Sequence, residues 1–425
     1  MYALVDCNNF FVSCERTLDK TLENQAVVVL SNNDGCVISR SNEAKALGIP
    51  MGAPAFKYQA IFEKNNVKVF SAKFELYNYL SQQITALAKS YAMDHEVYSI
   101  DELFLDFHGF KYFNLPTYCA ELRQKIMDQY QIPVSIGVAP SKTLCKVANR
   151  IVKKFPEQFA DGVYILNTPE KIEKALRWLP IKDVWGIGRR YACKMTENGV
   201  HKAWDLLQKP DIWLKQTMGV HGIRMMNELK GQPQLILEEP SKKKTICVSR
   251  SFMEMIADKE ELRERIETFT MYCAEKLRKQ HSCCKEITVF IQTNRFRTDL
   301  GEYKNGLTVQ LPNPSSSSIV LAKAANRIFE AIYRDGYHYK KAGVLVTELI
   351  PDNERIPSLF VKDDDVKHVP VMKMMDRLNR KFGKDKIRLA SMSGKNTFGR
   401  AKMSAEYENM LKNNTLPEAD YRFFS

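Results

Sequence analysis

The sequence predicts an α+β chain of several domains. Short runs with period-two alternation are interspersed with longer runs at helical spacing, so strands and helices mix along the chain. A length of 425 residues is enough for several buried cores. A basic run, Pro240-Ser241-Lys242-Lys243-Lys244, interrupts the pattern and marks the clearest domain boundary.

Composition narrows the function. Hydrophobic residues make up 44%, as in an ordinary globular protein. No uninterrupted apolar run approaches the ~18 residues of a membrane span, and no charged-then-apolar leader opens the chain. A strand from residue 2 argues further against a cleaved targeting segment, so a cytoplasmic protein is expected. The formal net charge of +13, from 63 basic and 50 acidic residues, suits a polyanionic partner. Ten cysteines show no Cys-x-x-Cys spacing, and only Cys283-Cys284 are vicinal. Buried free thiols fit better than a disulfide frame or a zinc site.

In chain order, Tyr2 begins an apolar strand with Asp6 at its far end. Val27–Leu30 reads as a strand, Asn32-Asn33-Asp34-Gly35 as a hairpin turn, and Cys36–Ser39 as the return. Ser41–Leu47 reads as a helix stopped by Gly48, after which Pro50, Gly52 and Pro54 punctuate the path. Phe74–Lys89 is helical, with Leu76, Leu80, Ile84, Leu87 and Ala88 on one face.

Tyr98–Phe107 reads as two short strands with a tight connection, where Asp101 and Glu102 are adjacent. Two like charges in a run otherwise fit for burial are costly unless something positive binds them. Hard carboxylate oxygens suit Mg²⁺; the plainer reading is a hairpin turn facing water. In a ferredoxin-like βαββαβ unit the first strand lies beside the acidic one, and Asp6 then joins Asp101. Three carboxylates at one sheet end are what two-metal phosphoryl transfer requires.

A helix from about Pro116 to Tyr130, a strand over Pro133–Ala139 and a helix opened by Ser141 follow. Lys142, at that helix start, is expected to add positive charge to a phosphate site. Leu179–Leu207 reads as helix, glycine-containing connection, helix. There Gly186 and Gly188 permit close backbone approach, and Arg189 and Arg190 follow directly, as in a helix-hairpin-helix that grips duplex phosphates. The bland alternative is a turn between packed helices.

Past the linker the pattern is strand (Thr245–Ser251), helix (Lys259–Gln280), strand (Glu286–Arg295), strand (Gly306–Leu311), helix (Ser317–Tyr333), strand (Ala342–Leu349). Residues 241–350 carry 19 Lys and Arg against 13 Asp and Glu, so this sheet is expected to contact backbone phosphates. Lys242, Lys243, Lys244 and Arg250 are its candidate contacts. After Pro351 the periodicity weakens: Asp363-Asp364-Asp365 breaks the chain, a short helix covers Val371–Phe382, and residues 391–396 read as a loop.

Taken together, Asp6 with Asn8-x-Phe10-Phe11, then Ser31-Asn32-Asn33-Asp34-Gly35-Cys36-Val37-Ile38, then Tyr98-Ser99-Ile100-Asp101-Glu102 resemble the Y-family translesion DNA polymerases. Within that family the chain is most similar to the UmuC-type catalytic subunit of DNA polymerase V. Val184–Arg190 and Glu275-Lys276-Leu277-Arg278 extend the resemblance in order over roughly residues 1 to 350.

The resemblance implies a right-hand polymerase. Its ferredoxin-like palm would span residues 1–10 and 73–165, and small fingers 11–72. A helix-hairpin-helix thumb (166–239), an α/β little finger (240–350) and a partner-interaction region (351–425) would follow. It implies two Mg²⁺ ions held by Asp6 and Asp101 with the Cys7 carbonyl, and Glu102 nearer the ion that activates the primer. Ser39, Asn42 and Lys45 stand where the family contacts the incoming triphosphate, although Asn42 replaces an aromatic found in many members. Phe10 and Phe11 lie beside the nucleotide. Phe11 occupies the steric-gate position, commonly Tyr in UmuC-type chains, while Phe10 is the better inward core residue.

The implied activity is error-prone, template-directed synthesis past damaged bases in the SOS response, using primer–template DNA and dNTPs. Implied partners are a processed UmuD-type dimer and a RecA filament. Ile356–Phe360 sits where a sliding-clamp peptide is expected; it lacks the leading Gln-Leu and keeps Leu359 and Phe360. The alternative there is a loop packing this pair on its own domain. Rival readings of the whole are a DNA-binding scaffold with a decayed centre, which the three carboxylates disfavour, and another palm-type nucleotidyl enzyme, which the hairpin and basic sheet disfavour.

Overall fold

The computed structural model describes residues 1–239, 241–297, 299–363, 365–383, 385–390, 392 and 402. Two compact units divide between residues 240 and 241. In the first unit, β1 (Tyr2–Cys7) is buried almost throughout and leads through Asn9, in the left-handed region at φ 48°, into α1 (Phe10–Leu18). β2 (Val27–Leu30) and β3 (Val37–Arg40) pair antiparallel. α2 (Asn42–Ala46) is capped by the Ser41 hydroxyl, which accepts from Ala44 N–H. α3 (Ala55–Lys64) was not expected among the prolines and glycines after Gly48; Pro54 at its N-cap starts it rather than blocking it. β4 (Lys68–Ser71) completes a three-stranded sheet of order β3-β2-β4.

The sheet expected for the palm follows. α4 (Phe74–Lys89), β5 (His95–Val97), β6 (Glu102–Asp106), α5 (Leu115–Tyr130), β7 (Val134–Ala139), α6 (Lys142–Lys154) and β8 (Val163–Ile165) succeed one another. The sheet order is β5-β6-β1-β7-β8. β1 is antiparallel to both β6 and β7, so the first strand does lie beside the acidic one. Val5, Leu103 and Ile136 pack on one face with Tyr77 and Leu122. Leu4 and Phe104 pack on the other with Leu144 and Ala148 of α6. α6 lies so close to β7 that a Cβ on Gly137 would meet Asn149 N and Cys145 O at 2.5 Å. Only glycine permits that approach.

Helices α7 (Pro169–Trp178), α8 (Arg189–Glu197), α9 (Ala203–Leu207), α10 (Asp211–Met218) and α11 (Val220–Leu229) share the core that α6 makes with the sheet. The helix expected before the glycine connection is a single 3-10 turn, Ile181–Asp183. Pro180 removes a donor ahead of it, and Gly186, at φ 90°, turns the chain soon after.

The second unit runs β9 (Ile246–Ile256), α12 (Lys259–Lys279), β10 (Ser282–Thr293), β11 (Lys304–Ser315), α13 (Ser318–Ile332), β12 (Tyr339–Pro351) and α14 (Asp365–Phe382). Its sheet order is β11-β10-β12-β9, and α12 and α13 pack on one face. α14 begins six residues before the expected helix, with Pro370 inside it. Met372, Met375 and Met392 are buried in the same core as β10 and α13. Arg278 of α12 donates two 2.7 Å hydrogen bonds to Asp376. The hydrophobic core of this unit therefore continues past residue 351, where a separate region was expected. Of the loop expected over 391–396, only Met392 lies within the described residues.

The cysteines are free, with seven buried, Cys36 half-buried, and Cys193 and Cys247 exposed. Among the described residues no helix is long and apolar enough to cross a membrane.

Candidate active site

Strand register builds the site. β1 and β6 run antiparallel with Asp6 opposite Glu102, and Cys7 N–H donates to Asp101 O at 2.9 Å across the turn before β6. All three acidic residues thus occupy one end of the sheet. Burial pushes the Asp6 carboxyl up to about 6; Lys153 opposes the rise and the charges of Glu102 and Asp101 add to it. Burial also raises Asp101, against a hydrogen bond from the Ser99 hydroxyl at 2.5 Å.

Two lysines of α6 answer these charges. Lys153 Nζ lies 2.5 Å from Asp6 Oδ1, and Lys146 Nζ lies 2.6 Å from Glu102 Oε1. They are seven residues apart, about two helical turns, and so share a face. The sequence reading missed both. Their signal lies in the lysines at 142, 146 and 153 that follow the Ser141 cap. Lys142 corrects that reading: it is buried, paired with Glu96, and donates to Ile236 O at 2.6 Å. It sits roughly 16 Å along α6 from Lys153 at 1.5 Å per residue. Its charge is held by a buried partner, as burial of an ammonium demands.

The β3–α2 segment brings a third lysine. Lys45 Nζ donates to Asn9 Oδ1 at 2.6 Å and to Asn42 Oδ1 at 3.2 Å, and Asn9 Nδ2 donates to Asn42 Oδ1 at 3.1 Å. Asn42 therefore orients Lys45. Burial lowers the Lys45 pKa, and the positive charges of Arg40 and Lys153 add to this while Asp6 opposes it. Arg40 and Asn9 were not anticipated. The Ser39 hydroxyl is buried, 3.4 Å from Asn9 O and accepting from Val12 N–H at 3.4 Å, so it also secures the start of α1.

Phe10 is buried and Phe11 half-buried, as the sequence reading distinguished them. The Phe11 ring stacks on Tyr77 with centroids 4.7 Å apart and an interplanar angle of 19°, and meets Phe74 edge-on at 5.9 Å.

Gly186, Gly188, Arg189 and Arg190 are exposed around the start of α8. In the second unit Lys242 and Lys244 are exposed. Lys243 is half-buried, and its carbonyl accepts from Gln280 at 3.2 Å. Arg250 departs from expectation. It is half-buried opposite Ala342 in register, on the side of the sheet that Val248 and Val344 turn to the helices. Leu359 and Phe360 are each 96% exposed, which excludes the reading that they pack on their own domain. The loop bearing them is closed by Arg355, which donates to both oxygens of Asp363 at 2.7 and 2.5 Å.

Residues 5–150 match the impB/mucB/samB family and residues 243–359 the C-terminal domain of that family. Protein UmuC of Salmonella typhimurium is 36% identical over 396 residues, covering 92% of this chain and 93% of the relative. The chain belongs to the impB/mucB/samB family. DNA polymerase IV 1 of Bacillus subtilis, 25% identical over 90% of this chain and 91% of its own, also matches. Among solved structures, a Y-family DNA polymerase chimera built from Dbh and Dpo4 superposes with a TM-score of 0.67, at 23% identity, covering 82% of this chain and 99% of the other. The expected right-hand α+β fold and DNA-polymerase class are borne out, the fold being that of a Y-family DNA polymerase; DNA polymerases depend on metal.

Among the described residues no three His, Cys, Asp or Glu side chains converge as a ready metal cage. Lys153, Lys146 and Ser99 hold the three carboxylates in this arrangement. The donor set nevertheless fits a hard divalent cation: Asp6 and Glu102 pair in register with Asp101 at the adjoining turn, and desolvation and mutual repulsion push Asp6 and Asp101 up.

Proposed function

We propose that this chain is an error-prone translesion polymerase that extends a primer 3′-hydroxyl with dNTPs, two Mg²⁺ ions being held by Asp6, Asp101 and the Cys7 carbonyl, with Glu102 on the primer side. Bound there, the ions supply Lewis acidity and neutralise developing phosphate charge. Lys45, Arg40 and Lys153 surround the triphosphate, and Lys153 exchanges its bond to Asp6 for one to phosphate. Asn9 and Asn42 aim Lys45, and Phe11 fills the space of a ribose 2′-hydroxyl. The exposed Gly186–Arg190 hairpin grips duplex phosphates without reading sequence, while Lys242 and Lys244 add salt-sensitive contacts.

The chain works in the cytoplasm during the SOS response with a processed UmuD-type dimer and a RecA filament, and Leu359 and Phe360 dock a sliding clamp. The observation that carries the reading is the register of Asp6 with Glu102, which brings Asp101 to the same sheet end.

The test is primer extension by the purified chain, with and without its partner, in Mg²⁺. Asp101→Ala should lose nucleotide addition by several orders of magnitude while retaining primer–template binding. Near wild-type extension by that variant would refute the site. DNA binding with no extension in any metal or partner mixture would favour the scaffold.

A further inference from the structure

Lys146 does more than balance Glu102. Its Nζ, 2.6 Å from the carboxylate, also lies 4.6 Å from the centroid of Tyr98, 5.5 Å from Trp185 and 6.0 Å from Phe104. The box is closed by its own contacts. Trp185 Nε1–H donates to the Tyr98 hydroxyl at 3.2 Å, and the two rings meet edge-on at 5.4 Å. Trp185 immediately precedes Gly186 of the exposed hairpin, and Tyr98 opens the turn that carries Asp101. One turn further along α6, Arg150 Nη2 reaches Asp183 at 2.7 Å, fastening the same hairpin to the same helix. The ammonium is thus shared between a carboxylate of the reaction site and an aromatic box built partly from the DNA-gripping hairpin.

We propose that Lys146 is a positioning residue that couples Glu102 to the hairpin through Tyr98 and Trp185. With Glu102 engaged by a divalent cation, Lys146 would lose its carboxylate partner and be left to the faces of Tyr98 and Trp185. Cation–π attraction favours the ammonium over those faces. A shift at Lys146 is therefore felt at Trp185, next to the glycine where the hairpin turns. By linkage, the hold on DNA and the occupancy of Glu102 must influence one another equally. This rests on the metal site proposed above, and the experiment separates the two.

Tryptophan emission is followed during Mg²⁺ titration without DNA, with Trp185→Phe as the blank for the other indoles. Primer–template affinity is read by anisotropy with and without Mg²⁺, and Mn²⁺ binding is measured separately by electron paramagnetic resonance. Mg²⁺ should shift the Trp185 emission. Lys146→Gln should abolish the shift and change the effect of Mg²⁺ on DNA affinity several-fold relative to wild type, while Lys146→Arg restores both. If Mn²⁺ binds yet Trp185 emission stays still, or Lys146→Gln responds like wild type, the coupling is wrong. Failure of wild type to bind Mn²⁺ would instead strike at the metal site, and the coupling would fall with it. Should Lys146→Gln not fold, Trp185→Phe carries the DNA test: it keeps a ring but loses the N–H to Tyr98, and an unchanged Mg²⁺ effect on affinity would overturn the proposal.

Discussion

Truncating Phe11 to alanine separates a sugar gate from a core aromatic. A fully buried Phe→Ala change costs about 3–5 kcal/mol. Phe11 is only half-buried, so its burial contributes roughly half of that. Loss of the stacked pair with Tyr77 adds about 0.5–1.5 kcal/mol. The variant should therefore fold, with stability reduced by about 2–4 kcal/mol. Tyr77 remains fixed because its hydroxyl is bonded at 2.5 Å to Glu15, which is also paired with buried Lys73. The cavity is thus not refilled by a collapsing ring, and space for a 2′-hydroxyl persists. Selectivity for deoxyribose over ribose should fall at least tenfold, which corresponds to about 1.4 kcal/mol of transition-state discrimination. Single-nucleotide kcat/KM values for matched dNTP and rNTP, alongside a thermal melt, read both quantities. A folded, active Phe11→Ala protein with unchanged sugar selectivity would refute the gate. Parallel loss of both activities with the fold would assign Phe11 to the core instead.

Other outcomes are expected from the same geometry. Asp6 is held at about 6, above the ordinary carboxylate value of 3.8, so the folded state binds extra protons between those values and stability falls as pH rises through that window. Asp6→Asn should accordingly melt higher than wild type at pH 7.5, and the gap should narrow as pH falls through about 6 toward 4; a gap that does not vary with pH would contradict the burial argument. Lys153→Met removes the cation that opposes this rise, so in the metal-free protein the Asp6 carboxyl should titrate at a higher pH than in wild type, as an NMR titration would show. Truncation after Pro351 strips Met372 and Met375 from the core and Asp376 from Arg278, and calorimetry should show the second unit melting several degrees lower. Leu359→Ala with Phe360→Ala should leave the melt unchanged, since both side chains are almost fully exposed, yet weaken clamp capture in a pull-down.

Local patterns gave away much of the first unit. Alternation and the acid at its end announced β1, and the Asp101-Glu102 turn between two strand patterns announced β5 and β6. Their adjacency needed only the βαββαβ connectivity. The lysines were harder, because a helix face shows which residues point together but not what lies opposite. Lys142, Lys146 and Lys153 look alike in sequence; Glu96, Glu102 and Asp6 respectively decide their roles, and each partner is remote in the chain. α3 is hidden because a proline among glycines signals a break as readily as the helix start that Pro54 makes. α14 was underestimated because Pro370 interrupts a helix whose buried face is drawn largely from methionines, a weak periodic signal.

Gly137 shows how a site can depend on a residue that never touches it. Any side chain there would push α6 off β7, and α6 carries the lysines bonded to Asp6 and Glu102. A random screen for lost mutagenesis should therefore return substitutions at Gly137 as readily as at the carboxylates. A search confined to polar residues near the reaction would have no reason to sequence such alleles.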